Sequence, residues 1–165
     1  MLYLLDADVL ITADRSFYPI PRFPVFWEWL AHVGGAGTVK IPREQYEEIT
    51  VGKGQLVDWL SDAAVRKALL LEEDASPDLV NEVTLKGYGK LNDAELEKVG
   101  RDPFLISYGF AVIPDRTVVT LERSAPAKKG ANRKIPDVCL DLKVPCCDLF
   151  KVIGALDFTT NWKPK

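Results

Sequence analysis

Residues 2–11 read Leu-Tyr-Leu-Leu-Asp-Ala-Asp-Val-Leu-Ile, so four apolar or aromatic residues are followed at once by Asp6 and Asp8. A short apolar run without alternation is typical of a parallel strand that is buried on both faces. We therefore predict a strand over Leu2–Leu5 and a helix from Asp8 to about Asp14. An acid at the end of such a strand lies beside the crevice in which α/β proteins bind their ligands.

The rest of the chain alternates short apolar runs with longer segments of helical period. Further strands are predicted at Thr38–Ile41, Thr117–Thr120 and Val144–Cys146. Helices are predicted at Pro24–Val33, from Pro42 to Gly52, at Gln55–Leu71, from Pro77 onward, and at Asp93–Val99, Asp102–Ala111 and Leu149–Leu156. This alternation predicts a three-layer α/β/α fold around a central, mostly parallel sheet of about four to five strands. We expect a single domain over residues 1–158 and a polar, frayed tail over residues 159–165.

Composition and charge limit the classes of function. The formal net charge of −3 excludes a global basic field, so any contact with nucleic acid has to come from a local patch. No apolar run has the length of a membrane span, and the first residues lack the basic start of a signal peptide. We therefore expect a cytoplasmic protein with no membrane partner. Cys139, Cys146 and Cys147 lack the spacing of a zinc site and are expected to be buried, reduced thiols.

Acidic residues follow several of the predicted strands or open the helices after them. Asp6 and Asp8 follow the first strand, Glu44 follows the second, Asp102 opens a helix, and Glu122 follows the strand that ends at Thr120. Taken singly, Asp102 also suits a helix cap, Glu44 suits a helix dipole, and Glu122 suits an ordinary surface position. Together, carboxylates that converge on one edge repel each other unless cations neutralise them. Their oxygen ligands suit Mg²⁺ or Mn²⁺.

Four segments resemble the acidic motifs of PIN domains, the nuclease fold of VapC-like toxins in toxin–antitoxin pairs. Leu4–Ile11 resembles the opening motif, and Ile41–Glu44 resembles the segment that carries the second acid. Arg101–Tyr108 resembles the third motif, an acid followed by an apolar helix, and Val118–Glu122 resembles the fourth, a strand that ends in Thr-x-acid. With Phe23–Leu30 and Lys134–Cys139, nearly the whole chain is similar to a PIN-like branch associated with toxin–antitoxin systems.

The resemblance implies a metal-dependent endoribonuclease that hydrolyses RNA phosphodiesters to a 5′-phosphate and a 3′-hydroxyl. It implies Asp6, Glu44, Asp102 and Glu122 as catalytic residues, and Asp6, Asp102 and Glu122, with Asp8, as ligands of Mg²⁺ or Mn²⁺. Glu44 would assist a second ion or the attacking water. A cognate antitoxin and a homodimer are the implied protein partners. Two departures from the pattern, Glu122 in place of Asp and Asp8 in place of Asn or Ser, leave the number of ions open.

Several further residues have two interpretations. Arg123, Lys128, Lys129, Arg133 and Lys134 lie in a predicted loop with no acid between them, and they either bind RNA phosphates or form a solvated loop. Asp137 is either an accessory acid or a helix cap, and Thr120 of the fourth motif is a second accessory candidate. The aromatic residues Phe17, Tyr18 and Phe23 either stack on unpaired bases or fill the core.

Two other functions compete with the nuclease. The segment Asp6–Leu10 approaches the D-x-D-x-[TV] opening of haloacid-dehalogenase-like phosphatases, in which Asp6 would be a nucleophile and Asp8 an acid or base. That family needs a later lysine and a further acidic motif, for which the chain offers no convincing pair. Alternatively, the chain is a catalytically silent PIN-like module that docks a partner protein. Some of its four tryptophans, Trp27, Trp29, Trp59 and Trp162, would then lie on an exposed patch.

Overall fold

Within residues 1–164, four strands pair side by side in the order β2-β1-β3-β4, and every neighbouring pair is parallel. The structure, a computed structural model, describes residues 1–164 of the chain. The strands are β1 (Leu2–Leu5), β2 (Val39–Lys40), β3 (Arg116–Val119) and β4 (Cys146–Cys147). All four strands therefore end at the same edge of the sheet, which is called the carboxyl edge below.

The central pair, β1 and β3, sends alternate residues to opposite faces of the sheet. Leu5 and Val119 are partners in this ladder and belong to one buried cluster, whereas Leu4 and Val118 are partners that belong to a second cluster. Each of these four side chains is fully buried. The sheet therefore has an apolar core on both faces, as the non-alternating sequence of the first strand predicts.

Ten α-helices cover the two faces of the sheet within residues 1–164. They are α1 (Ala7–Thr12), α2 (Pro24–Gly35), α3 (Arg43–Thr50), α4 (Gln55–Ser61), α5 (Ala63–Leu69), α6 (Pro77–Val83), α7 (Asp93–Val99), α8 (Asp102–Phe110), α9 (Ile135–Leu142) and α10 (Leu149–Ala155). Helices α1 to α5 and α10 contribute to the cluster around Leu5, and α6 to α9 contribute to the cluster around Leu4. This arrangement confirms the predicted three-layer α/β/α fold, with a parallel sheet of four strands in residues 1–164.

Several boundaries differ from the predictions. The predicted helix Gln55–Leu71 is two helices, because Asp62 is extended and its carboxylate accepts the N–H groups of Ala64 and Val65 at the start of α5. π-Helical turns extend α1 as far as Phe17 and α6 as far as Tyr88. Helix α9 was not predicted as a separate element.

The C-terminal segment is more ordered than the prediction of a frayed tail. The side chain of Trp162 packs on the core cluster around Leu5, with its ring 5.2 Å from that of His32. Lys165, the last residue of the predicted tail, lies outside the described residues. Within residues 1–164, no helix is both long and apolar enough to cross a bilayer.

Close packing of α8 on the sheet gives a testable prediction. A Cβ atom added at Gly109 would lie 2.8 Å from Val144 Cγ1 and 3.1 Å from Val118 Cγ2, and both neighbours are stiff, β-branched side chains. Overpacking of this kind costs about 1–3 kcal/mol. We expect Gly109→Ala to lower the Tm by several degrees, since about 1 kcal/mol shifts the Tm by roughly 2–4 °C at this chain length.

The matched control is Gly154→Ala, also at the penultimate position of its helix, where an added Cβ meets nothing within 4 Å. There the better helix propensity of alanine should raise the Tm by a few degrees. Thermal unfolding followed by circular dichroism checks both variants. Equal shifts in the same direction would mean that α8 does not approach the sheet this closely.

Candidate active site

Asp6 lies at the carboxyl edge because β1 and β3 are paired in parallel. Its backbone N–H donates to Val119 O (2.9 Å), and its buried carboxylate accepts a hydrogen bond at Oδ2 from the Thr120 hydroxyl (2.9 Å). Burial raises the pKa of Asp6 to about 6, the Thr120 hydrogen bond lowers it, and the neighbouring charges of Glu48, Asp8 and Glu122 raise it further. Thr120 therefore positions the Asp6 carboxylate through its hydroxyl.

Asp102 comes from a distant segment and lies near Asp6. It is the first residue of α8, and no side-chain hydrogen bond caps that helix, so Asp102 is not the simple cap that Pro103 suggested. Burial raises the pKa of Asp102 to about 7, with further contributions from the charges of Asp6, Glu122 and Glu48. The nearby Lys134 ammonium opposes this shift. The carboxyl edge thus holds negative charge that the protein neutralises incompletely.

Asp6, Asp102 and Glu122 are called the acidic group below, because the charge of each acts on its neighbours. Within it, both carboxylate oxygens of Glu122 accept hydrogen bonds from the protein. Its Oε1 accepts from Lys134 Nζ (2.6 Å), and its Oε2 accepts from the backbone N–H of Ile135 (2.8 Å). The hydrogen bond to Glu122 raises the pKa of the Lys134 ammonium. Lys134, predicted as a phosphate-binding residue, is therefore also an internal counter-ion of the acidic group.

The structure brings Glu48, rather than Glu44, to this group. Glu48 is an exposed residue one helical turn after Glu44 on α3, and its charge raises the pKa of both Asp6 and Asp102. Glu44 lies beside Tyr108, where its charge adds to burial in raising the pKa of the phenol, and its Oε2 is buried without a partner within residues 1–164. Glu44 therefore lies next to Tyr108, whereas the charge of Glu48, one helical turn later, acts on Asp6 and Asp102.

The two remaining predicted acids have local partners. Asp8 is exposed in the first turn of α1, and the Thr12 hydroxyl donates to its Oδ1 (3.2 Å). Asp137 accepts hydrogen bonds from the Ser124 hydroxyl and from the Ala125 N–H (2.7 Å), which hold its pKa below the ordinary value. Asp137 therefore ties down the loop after Glu122 and does not cap α9.

A basic cleft opens beside Asp102 and Glu122. It has a volume of about 270 Å³, and its lining includes Lys128, Arg133 and Lys134, three of the five predicted cations. Lys98 of α7, which was not among the predicted cations, lines the same cleft and donates to Asn132 Oδ1 (2.5 Å). The predicted lysines and arginines are clustered in one loop of the sequence and could be recognised there. Lys98 lies about 30 residues earlier, on α7, and no local signal in the sequence links it to that loop. The other two predicted cations, Arg123 and Lys129, are exposed.

The acidic group fits a divalent cation in charge and in donor type. Its oxygen donors suit Mg²⁺ or Mn²⁺, and the raised pKa values of Asp6 and Asp102 indicate charge that a cation would relieve. Burial, and next the nearby charge of Asp102, raise the pKa of Tyr88, and its buried hydroxyl has no hydrogen-bond partner within the described part of the chain. Such an orphaned group calls for a water or ligand partner. Among residues 1–164, however, no three acidic, cysteine or histidine side chains lie close enough together to hold one ion.

These features define a three-layer α/β protein with a parallel sheet and an acidic group at its carboxyl edge. The chain belongs to the family described as Domain of unknown function (DUF4411), which it matches over residues 3–160. No curated protein matches the chain, and no solved structure matches it.

The pKa of Asp102 predicts how stability depends on pH. Its ordinary value is 3.8 and its folded value is about 7, so the folded protein binds more protons than the unfolded chain between these pH values. Stability from this group is therefore complete below about pH 4 and is lost as the pH rises through about 7. In chelator, we expect Asp102→Asn to raise the Tm by several degrees at pH 8 and to change it little at pH 4.

The control for this measurement is Asp58→Asn, which neutralises an exposed acid on α4. Its effect on the Tm should be small at both pH values. A loss of stability in Asp102→Asn that is the same at pH 4 and pH 8 would contradict the repulsion described here.

Proposed function

We propose that this protein is a metal-dependent endoribonuclease that hydrolyses RNA phosphodiesters at the carboxyl edge of its sheet. The observation that carries the proposal is the approach of two carboxylates, the buried Asp6 and the partly buried Asp102, whose pKa values rise to about 6 and 7 beside Glu48 and Glu122. Such an arrangement lowers stability in the absence of a counter-charge, so a functional role explains it better than a structural one. The resemblance to PIN domains independently suggests the same chemistry.

In this proposal Asp6 and Asp102 hold Mg²⁺ or Mn²⁺, and Mg²⁺ commonly binds proteins through one or two carboxylates and keeps several water ligands. Glu122 and Asp8, the other predicted ligands, do not form a three-residue cluster with them. Glu48 takes the role that was assigned to Glu44, because its charge acts on both central carboxylates. When bound, the ion would lower the pKa of a water ligand and stabilise negative charge on the phosphate. Thr120 supports this arrangement by fixing the Asp6 carboxylate through its hydroxyl.

The basic cleft supports RNA as the substrate. Phosphates on one side of the scissile bond would contact Lys98 and Lys128, which line the cleft next to Asp102 and Glu122, whereas the Arg133 guanidinium is already paired with Asp141. Lys134 belongs both to the acidic group and to the basic cleft, because its ammonium pairs with Glu122 and its side chain lines the cleft. The net charge of −3 does not attract a polyanion, so binding of RNA requires local cations such as these, next to the acidic group.

The biological setting is a further part of the proposal. A toxin role with a cognate antitoxin, and a homodimer, are supported by the resemblance to the PIN-like branch. A cytoplasmic location is supported by Cys139, Cys146 and Cys147, which form no disulfide within the described residues.

A silent docking module is the second candidate, and the state of Glu122 favours it. Both oxygens of that carboxylate are engaged by the protein itself, which weakens its case as a metal ligand. The predicted tryptophan patch does not support docking, because Trp27 and Trp29 are fully buried and Trp59 and Trp162 are partly buried in the core. A phosphatase of the D-x-D type is supported less well, because its chemistry would use Asp6 and Asp8 and gives no role to Asp102, which lies near Asp6.

RNA cleavage by purified protein tests the proposal. We expect single-stranded or structured RNA to be cut with Mg²⁺ or Mn²⁺ and to stay intact with chelator. In the double variant Asp6→Asn with Asp102→Asn, the cleavage rate should fall more than ~100-fold. Loss of a residue that only supports a metal ligand lowers activity by roughly 10- to 100-fold, and loss of the ligands themselves should have a larger effect. Asp58→Asn is the control and should cleave as the wild type does. Folded wild-type protein that binds neither ion and leaves every RNA intact would favour the docking module.

The two glutamates of α3 give a sharper test. We expect Glu48→Gln to reduce cleavage about 10- to 100-fold, because it removes charge from the acidic group. Glu44→Gln should leave cleavage within a few-fold and should raise the Tm, because it neutralises a carboxylate with a buried, unpartnered oxygen. Initial rates at saturating metal and thermal unfolding measure both effects. A larger loss of activity in Glu44→Gln would return the role to Glu44.

A further inference from the structure

Two exposed aromatic rings lie in a cleft that also reaches the acidic group. Phe17 ends the π-helical extension of α1, and Phe150 is the second residue of α10; their side chains are 38% and 50% exposed. The ring centroids are 5.2 Å apart and the planes meet at 61°, so each ring holds the other in an edge-to-face contact. The cleft has a volume of about 450 Å³, and its lining includes Asp8, Glu122 and Arg123.

The remaining aromatic side chains of this region have structural roles. Tyr18 stacks on Phe26 with centroids 4.2 Å apart, and Phe26 is fully buried in the core. Phe23 is 38% exposed, as Phe17 is, but it packs edge-to-face on Tyr18. Phe17 and Phe150 thus differ from them in lining a cleft that contains Glu122.

The lining of the cleft indicates the kind of ligand that it accepts. Three carboxylates, those of Asp8, Glu122 and Asp148, line the cleft and would repel a phosphate placed there. The carboxylates of Asp8 and Asp148 can accept hydrogen bonds from the amino groups of a nucleobase. Arg123 is exposed at the same cleft and has no ion-pair partner within residues 1–164, so its guanidinium is available to the backbone or to a base. Binding of an apolar protein segment in this cleft would bury several charged groups without partners, which is unfavourable.

We infer that the cleft of Phe17 and Phe150 binds an unpaired nucleobase next to the phosphate at the acidic group. This assignment rests on the proposed nuclease function and adds to it a preference for single-stranded nucleic acid. Base-on-ring stacking needs an unpaired base, because the faces of a base in a duplex are covered by its neighbours. Glu122 lines both this cleft and the basic cleft, so a strand would place its base on the rings and its further phosphates on Lys98 and Lys128.

Equilibrium binding in chelator tests the assignment without requiring cleavage. The probes are a fluorescein-labelled 12-nucleotide RNA and its blunt duplex, measured by fluorescence anisotropy. Wild-type protein should bind the single strand more tightly, although contacts to phosphate alone would favour the duplex with its higher charge density. The double variant Phe17→Leu with Phe150→Leu should bind the single strand roughly 5- to 100-fold more weakly, the range for loss of a stacked base, and should bind the duplex unchanged.

The control is Phe23→Leu, which alters an equally exposed ring outside the cleft and should bind as the wild type does. The single variant Phe150→Leu, at the more exposed ring, gives the same test if the double variant is unstable, and should show a smaller loss in the same direction. A 2-aminopurine base in the single strand should be quenched by wild type and less by the variants.

The outcomes separate this inference from the proposed nuclease. Equal affinity of wild type for single strand and duplex, or an unchanged preference in the variants, overturns the base site, while cleavage with Mg²⁺ or Mn²⁺ would still support the nuclease. A shift from dimer to monomer in the double variant, with RNA affinity unchanged, would assign the rings to a second copy of the chain instead. Absence of any RNA binding by the wild type overturns the base site directly.

Discussion

The parallel pairing of β1 with β3 is the contact on which both the fold and the site depend. Its register joins Leu5 to Val119, so the two strands end together and Asp6 and Thr120 emerge side by side. The same pairing sends alternate side chains into the two core clusters, which fixes the helices of each face against the sheet. The hydrogen bond from Thr120 to Asp6 is thus a direct result of strand register.

Electrostatic repulsion at the carboxyl edge is the cost of this arrangement. Burial and neighbouring carboxylates raise the pKa of Asp6 and Asp102, and Lys134 relieves part of that repulsion through its pair with Glu122. Burying incompletely neutralised carboxylates destabilises the folded chain. Sites that bind ions or do chemistry commonly have this property, since the missing charge is supplied by the ligand. The loop after Glu122 is held by Asp137, which keeps the basic residues next to the acids.

Local sequence signals predicted most of the secondary structure. The apolar strand Leu2–Leu5 and the helix Asp93–Val99 were predicted with their observed bounds, because short-range patterns and caps determine where they begin and end. The break at Asp62 was missed because the helical period of apolar residues continues through it. Its extended backbone is stabilised by a cap that the periodicity alone does not reveal.

The sequence by itself determined the fold class and brought Asp6, Asp102 and Glu122 to one edge. Acids that follow parallel strands, or that open a helix leading back to the start of a strand as α8 leads to β3, lie at that edge. Tertiary structure decided which acid of α3 joins them. Glu44 and Glu48 are one turn apart on the same helix, and the packing of α3 against α8 directs Glu44 to Tyr108 and Glu48 to the acidic group. It likewise decided that Lys98 and Phe150 border the site, because each comes from a helix with no motif of its own and arrives there through packing.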